Sequence, residues 1–407
     1  MGMRMFRLLL GMGLFLIITA AAAAQALREL PAPTGSYPIG ARYLSFTDRS
    51  REELFTEELG DYREITAQVW YPAEEYKYGK IAPYLPLEES QIKNFGLPVY
   101  LAKVQTHAKV NAPIAKAQAS YPVLIFNHGW REYAAQATFL CEDLASHGYF
   151  VFSLEHQYEA AFATYPNGKV VAINPSSLRW RQIRQEEHNP ETAVVAEALS
   201  TAQTPRAQEQ ACRDATSLMP LLYREVPQYW AQDIQFLISE LVKLDRHDPF
   251  FRARLMLDQI GVFGLSMGGL ASTKACRLDK RIRAGMTVDG GAYGDLLDEK
   301  IPQSYMFING DRYRGFDDFF LSRLRGEGYA LNIANATHLD FRDLGLFEPE
   351  PEKQEEGDLD ALRSTVILRR YVREFFDQCL KNTKSELLEK ESAEFPEVKI
   401  IAKVNHN

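Results

Sequence analysis

A serine enclosed by glycines, Gly264-Leu265-Ser266-Met267-Gly268-Gly269, is the clearest chemical signal in this chain. A hydroxyl is a weak nucleophile at neutral pH, so it needs a base and a turn that exposes it. The G-x-S-x-G string is common, and its context gives it meaning. An apolar run, QIGVF, precedes it and a helical run, GGLASTKAC, follows it, as a strand–turn–helix elbow requires. Such a turn strains the serine backbone and leaves no room for side chains two residues to either side. It also puts the Met267 N–H at a helix N-terminus, where it can face a developing oxyanion. The alternative is a glycine-rich turn without chemistry.

The elbow needs partners later in the chain. Only His338 and His406 follow Ser266. His338 closes the strand candidate YALNIANAT, whereas His406 is second from the C-terminus with no strand before it, so His338 is the expected base. Two aspartates compete for the acid. Asp289 ends AGMTVDGG and Asp311 ends SYMFINGD. Both sit where a carboxylate can reach an imidazole, and a turn aspartate beside glycine is common in any case. The residues alone leave this choice open. A second oxyanion donor is expected after the strand YPVLIFN, in Asn127-His128-Gly129-Trp130, from the Trp130 backbone N–H. His128 precedes the nucleophile, and its expected role is to pack and hold this loop.

These residues need a rigid frame. YPVLIFN, YFVFSLEH, QIGVFGLS, AGMTVDG, SYMFING and YALNI read as short buried strands, several separated by helical spacing. That alternation predicts an α/β fold, a mainly parallel central sheet with helices on both faces. Active residues then sit on loops at the carboxyl ends of strands. About a hundred residues separate YFVFSLEH from QIGVFGLS, far more than one crossover needs. PQYWAQDIQFLISELVKLD is the expected crossover helix. SLRWRQIRQEEH and TPRAQEQACRDATSLM suggest a helical cap inserted at about residues 160–225. Before the first buried strand, LPAPTGSYPIGARYLSF reads as extended chain and turns, and a strand is expected at Ile65 to Tyr71. The acidic run EPEPEKQEEGDLD reads as a solvated loop. An amphipathic helix, DALRSTVILRRYVREFFDQCLKN, ends the fold, with a peripheral tail beyond it.

Composition narrows the function classes. The 407 residues are 46% hydrophobic and 25% charged, with net charge −8. No basic block tracks a phosphate backbone, which argues against nucleic-acid binding. Residues 1–26 carry Arg4 and Arg7, an apolar run and the A-x-A site Ala24-Gln25-Ala26. They read as a signal peptide, the alternative being an uncleaved anchor. Export with residues 27–407 as one domain is the expectation. Cys141, Cys212, Cys276 and Cys379 fall far apart in helical segments. Buried free thiols are as plausible as disulfides in a large core. None has metal-ligand spacing, and no metal or other cofactor is expected.

GLSMGG, FNHGW, EHQYEAAFATY, TVDGG and ATHLDFRD together resemble the platelet-activating factor acetylhydrolase family, the lipoprotein-associated phospholipase A2 type. The resemblance runs from about LPAPTG to the last helix. It implies an α/β-hydrolase fold, Ser266 as nucleophile, His338 as base and Asp289 rather than Asp311 as acid. It places the oxyanion donors at the Trp130 and Met267 N–H groups. It implies a small-molecule or lipid ester substrate, short or oxidised acyl groups, and transient contact with a lipid surface. Two departures stand out. The family carries a smaller aliphatic residue where Trp130 stands, which bears on acyl length. Gln157 and Tyr158 stand where the family more often has Arg and Asp, so local ion pairing should differ. The rival readings are a cutinase-like or dienelactone-hydrolase-like esterase and a non-catalytic binding protein of the same fold. The sequon at Asn335, three residues before His338, is expected to carry no glycan because one would crowd the site.

Overall fold

The computed structural model describes residues 29–187, 221–290, 300–311, 321–347 and 359–404, with residues 201–202, 204, 206–207, 209–211 and 213 between them. The leader, residues 188–200 and most of 203–220 of the proposed cap, Cys212 included, the acidic run at 348–358 and His406 lie outside the described residues.

The strands, in chain order, are β1 (Ile39–Glu52), β2 (Tyr62–Pro72), β3 (Lys109–Val110), β4 (Tyr121–Asn127), β5 (Phe150–His156), β6 (Phe162–Thr164) and β7 (Val170–Ala172). They continue with β8 (Leu255–Leu265), β9 (Ile282–Val288), β10 (Ser304–Asn309), β11 (Gly328–Ile333) and β12 (Val398–Val404). All but the β6–β7 hairpin join one sheet in the order β12-β11-β10-β9-β8-β4-β5-β2-β1-β3. From β5 to β11 the pairing is parallel throughout.

Every residue of β4 and β5 is buried, as expected of parallel strands covered on both faces. Alternate residues go to opposite sides. Val123 and Ile125 join the core beneath helices α3 (Val226–His247) and α4 (Met267–Leu278). Leu124 and Phe126 join the other core, beneath α1 (Thr138–Ser146) and α5 (Ala361–Lys381). Asp360 caps α5 by accepting from the Arg363 N–H, and Asn382 ends it in the left-handed region. The helix α2 (Leu178–Glu187) contributes Trp180 and Ile183 to the first core.

From β4 the chain steps to β5 on one side, then returns through α3 to β8 on the other. The crevice outside the carboxyl ends of β4 and β8 is therefore the topological switch point, where ligands bind in such sheets.

Two expectations need correction. The tail after α5 is not peripheral: β12 pairs antiparallel with β11 and buries Val398. Its alternating VKIIAKV supplies a pairable edge, and Lys399 and Lys403 keep the outer face charged. The segment read as extended chain and turns includes much of β1, a fourteen-residue strand of which eleven residues pair with β2. A two-stranded partner stabilised those polar residues in a strand that local pattern did not reveal. Among the described residues Cys141, Cys276 and Cys379 are free thiols, and no helix is long and apolar enough to cross a membrane.

Candidate active site

Ser266 follows β8 directly and starts α4. Its backbone is strained, at φ 52° and ψ −116°. The Ser266 N–H donates to the Val288 carbonyl at 3.0 Å, and the Ser266 carbonyl accepts from Gly269 at 3.0 Å and Leu270 at 3.2 Å. The tight crossing explains the glycines. A Cβ on Gly268 would strike the Asn127 carbonyl, and one on Gly264 would strike the Gly268 backbone. The bend thus exposes a half-buried hydroxyl where β8 ends.

The bond from Ser266 to Val288 brings the end of β9 alongside Ser266. Asp289 is the next residue, buried to 1% exposure with φ 47°. Its N–H donates to the Ile308 carbonyl at 2.7 Å. Its Oδ1 accepts from the Gly310 N–H at 2.9 Å, and its Oδ2 lies 2.5 Å from His338 Nδ1. Since the carboxylate can only accept, Nδ1–H donates to it, and Nε2 is left as the acceptor on a ring that is 32% exposed.

Asp311 sits elsewhere. Its N–H donates to the Ala336 carbonyl at 3.2 Å, and its Oδ2 accepts from the Asn335 N–H at 2.7 Å. It braces the loop that carries His338. A capping box then fixes the turn His338–Phe341: Asp340 Oδ2 accepts from the Thr337 N–H at 2.6 Å and from its hydroxyl at 2.9 Å.

The loop after β4 is held from three directions. The Gly129 N–H donates to Gln136 Oε1 at 2.8 Å. His128 Nε2 accepts from the His156 N–H at 3.4 Å, so its Nδ1–H donates to the Gly129 carbonyl at 2.7 Å. Burial holds the His128 pKa down at about 3, which keeps this tautomer neutral. The segment after His338 closes the third side: Arg342 pairs with Glu132 at 2.6 Å and the Asp343 N–H donates to the Gln136 carbonyl at 2.9 Å. Trp130, on this loop, stacks on Trp180 of α2 at 5.5 Å between ring centroids. Its indole nitrogen is buried without a hydrogen-bond partner.

Beneath the loop lies a second charged cluster that sequence reasoning missed. Arg63, fully buried in β2, donates to Asp233 at 2.7 Å, to Glu159 at 3.0 Å, to Glu53 at 3.1 Å and to the Gln157 carbonyl at 2.9 Å. His156 Nδ1 lies 2.9 Å from Asp233 Oδ2, and its ring stacks on Trp230 at 3.9 Å. Burial lowers the His156 pKa to about 4 and raises that of Glu159 to about 8. Asp233 is itself pulled below the usual carboxylate range: Arg63, the His156 hydrogen bond and Arg51 outweigh its burial. Arg63 supplies the positive charge beside Gln157 and Tyr158, which are themselves uncharged. The available signal was an arginine at the start of β2, just before the run ITAQVWYP, and an aspartate, Asp233, among the apolar residues of α3.

Among the described residues no three acidic, histidine or cysteine side chains form a metal site. Five of the eight non-glycine residues with positive φ among the described residues, Arg131, Tyr158, Ser266, Asp289 and Asn335, lie on the loops of this one face. Backbone strain is thus concentrated where the strands end.

The sheet order, the elbow and the loop positions define an α/β-hydrolase. Residues 22–351 match the family described as platelet-activating factor acetylhydrolase, isoform II, and the chain belongs to it. It is 28% identical over 307 residues to the platelet-activating factor acetylhydrolase of Canis lupus familiaris, covering 73% of this chain and 64% of that protein. It is 26% identical to that of Bos taurus, covering 70% and 61%. The matches therefore span slightly less than two thirds of these relatives' own length. A ferulic acid esterase from Streptomyces cinnamoneus shares the fold with a TM-score of 0.71 and 25% identity, over 93% of this chain and all of that one.

Proposed function

We propose that this protein is a serine hydrolase of carboxylic esters that takes short or oxidised acyl groups, including those at the sn-2 position of phospholipids. The observation that carries this is the Asp289–His338 pair, locked to the Ser266 elbow through the Ser266–Val288 backbone bond. His338 Nε2 takes the Ser266 proton as the hydroxyl attacks the ester carbonyl. Asp289 orients the ring and stabilises the imidazolium. The Trp130 and Met267 N–H groups stabilise the oxyanion, and the bracing by Gln136 and His128 keeps their loop from reorganising during reaction. His338 then protonates the leaving alcohol, and water repeats the cycle on the acyl-enzyme.

The names of the relatives support the phospholipid substrate class. The leader supports export, and sequencing the mature N-terminus from culture fractions tests it. Hydrolysis of p-nitrophenyl esters from acetyl to palmitoyl, beside Ser266→Ala, tests the main reading. Activity limited to short chains and absent from the variant is the expected outcome. Activity rising with chain length refutes the short-acyl assignment.

One observation favours a second reading, an ester of an aromatic acid. Trp130 and Trp180 form a stacked pair against the oxyanion loop, where an aliphatic side chain would leave an open acyl pocket. The structural likeness to a ferulic acid esterase points the same way. Methyl ferulate in the same panel separates the two readings by its kcat/KM relative to p-nitrophenyl acetate.

A further inference from the structure

At the far end of the sheet from Ser266, a cleft of about 880 Å³ opens at the amino ends of β9 and β10. Lys280, Arg283, Lys300 and Arg325 line it together with Gln303 and Ser304. Among the described residues, no carboxylate lines it. Nearby carboxylates are engaged elsewhere: Asp279 holds Arg281 at 2.5 Å, and Glu327 accepts from Gln378 at 2.6 Å. Among the described residues none of the four lining cations has an ion-pair partner. Four like charges sharing one cleft repel one another, and in a protein of net charge −8 this grouping runs against the overall field. Gln303 forms part of the floor at 5% exposure. Its Nε2 donates to the Cys276 carbonyl at 2.6 Å, which leaves its Oε1 buried and unpartnered.

The geometry points to a binding site for a phosphate ester that carries a hydroxyl, with the phosphate among the arginines and lysines and the hydroxyl donating to Gln303 Oε1. Arginine forks match phosphate oxygens in pairs, and two lysines add compact charge. The cleft is of ligand size. Cys379 also lines it, but burial pushes that thiol up to about 12, so the site binds rather than reacts. Glycerol phosphate, free or as the headgroup of a phospholipid, has this chemistry.

The test uses the full mature chain. Glycerol 3-phosphate is titrated calorimetrically at low salt into wild type, Arg283→Gln/Arg325→Gln and Gln303→Leu. In parallel, phosphatidylcholine vesicles with and without phosphatidylglycerol are co-sedimented with each protein. p-Nitrophenyl acetate hydrolysis, far from this cleft, should be unchanged in all three and reports that they fold. The double variant is expected to bind at least about tenfold more weakly, and Gln303→Leu to lose the preference for glycerol phosphate over inorganic phosphate. Binding of the free ester identifies a soluble ligand, and binding only to phosphatidylglycerol vesicles identifies a lipid headgroup. Equal binding by wild type and double variant, or no binding to either probe, overturns the proposal.

Discussion

Two aspartate–histidine pairs lie on the same face of this molecule, and their surroundings fit them for opposite tasks. Asp289 and His338 meet at 2.5 Å, and Asp233 and His156 at 2.9 Å. Distance does not tell them apart; their surroundings do. His338 is one-third exposed on its loop, and Nε2 is not the nitrogen that meets the carboxylate. His156 is fully buried, stacked on Trp230, with Arg63 and Arg51 on its carboxylate. Burial above all keeps His156 neutral, and the Arg63 and Arg51 guanidinium groups on its carboxylate push the same way. A carboxylate–histidine contact is therefore a mark of catalysis only where the far nitrogen can reach a reacting atom. Otherwise it is part of the frame.

The largest effect should come from breaking the first pair. Ser266→Ala or His338→Ala should lower kcat on p-nitrophenyl acetate by about 10³-fold or more, with the melting temperature within a few degrees of wild type. Asp289→Asn should lower kcat by a similar order, because the amide no longer fixes the Nδ1 tautomer. A thermally intact Asp289→Asn variant that keeps wild-type kcat removes Asp289 from the mechanism.

Breaking the second pair should cost stability instead. Asp233→Ala leaves Arg63 with Glu53, Glu159 and the Gln157 carbonyl, and strips His156 of its carboxylate. About 3–5 kcal/mol of unfolding free energy should be lost, read from denaturant midpoints. In the protein that remains folded, kcat should fall far less than in His338→Ala. If kcat collapses while the midpoint holds, the two pairs are not separate in function.

Titration sharpens the same contrast. His156 has a folded pKa of about 4, below its ordinary value of about 6.5. Between these values the unfolded chain binds a proton that the folded chain refuses, so stability is lost as pH falls from about 6.5 to about 4. This group contributes a slope of at most about 1.4 kcal/mol per pH unit in that window. His156→Gln should flatten the rise of the urea midpoint with pH between those limits. An unchanged slope would mean that His156 is charged in the folded protein.

The Ser266 elbow was legible in the sequence because steric exclusion writes itself locally. Gly264 and Gly268 are needed within two residues of Ser266, and the flanking strand and helix announce themselves by pattern. Which aspartate meets His338 was not legible from residues alone, because Asp289 and Asp311 each end a strand beside glycine and differ only in what lies across space. The frame was less visible still. Arg63 and Asp233 are 170 residues apart, and nothing local requires either. β1 and β12 were hidden for the same reason, since each is held by a partner strand rather than by its own composition. Short-range constraint reads out; long-range pairing does not.

The smallest expected effect comes from the aspartate that competed for the acid role. Asp311 grips the Asn335 amide at 2.7 Å, and Asn335 holds a left-handed conformation, φ 62°, three residues before His338. Asp311→Asn keeps the shape and weakens one charge-assisted hydrogen bond, worth about 1–2 kcal/mol. Part of that loss should appear in the placement of the imidazole, so kcat should fall by about threefold to tenfold with little change in KM. The pH profile of kcat/KM should keep its shape, because the carboxylate on His338 is untouched. Asp311→Ala, which removes the acceptor altogether, should go further in the same direction. If Asp311→Asn instead matches Asp289→Asn in kcat, the acid role is shared and the bracing role assigned to Asp311 fails.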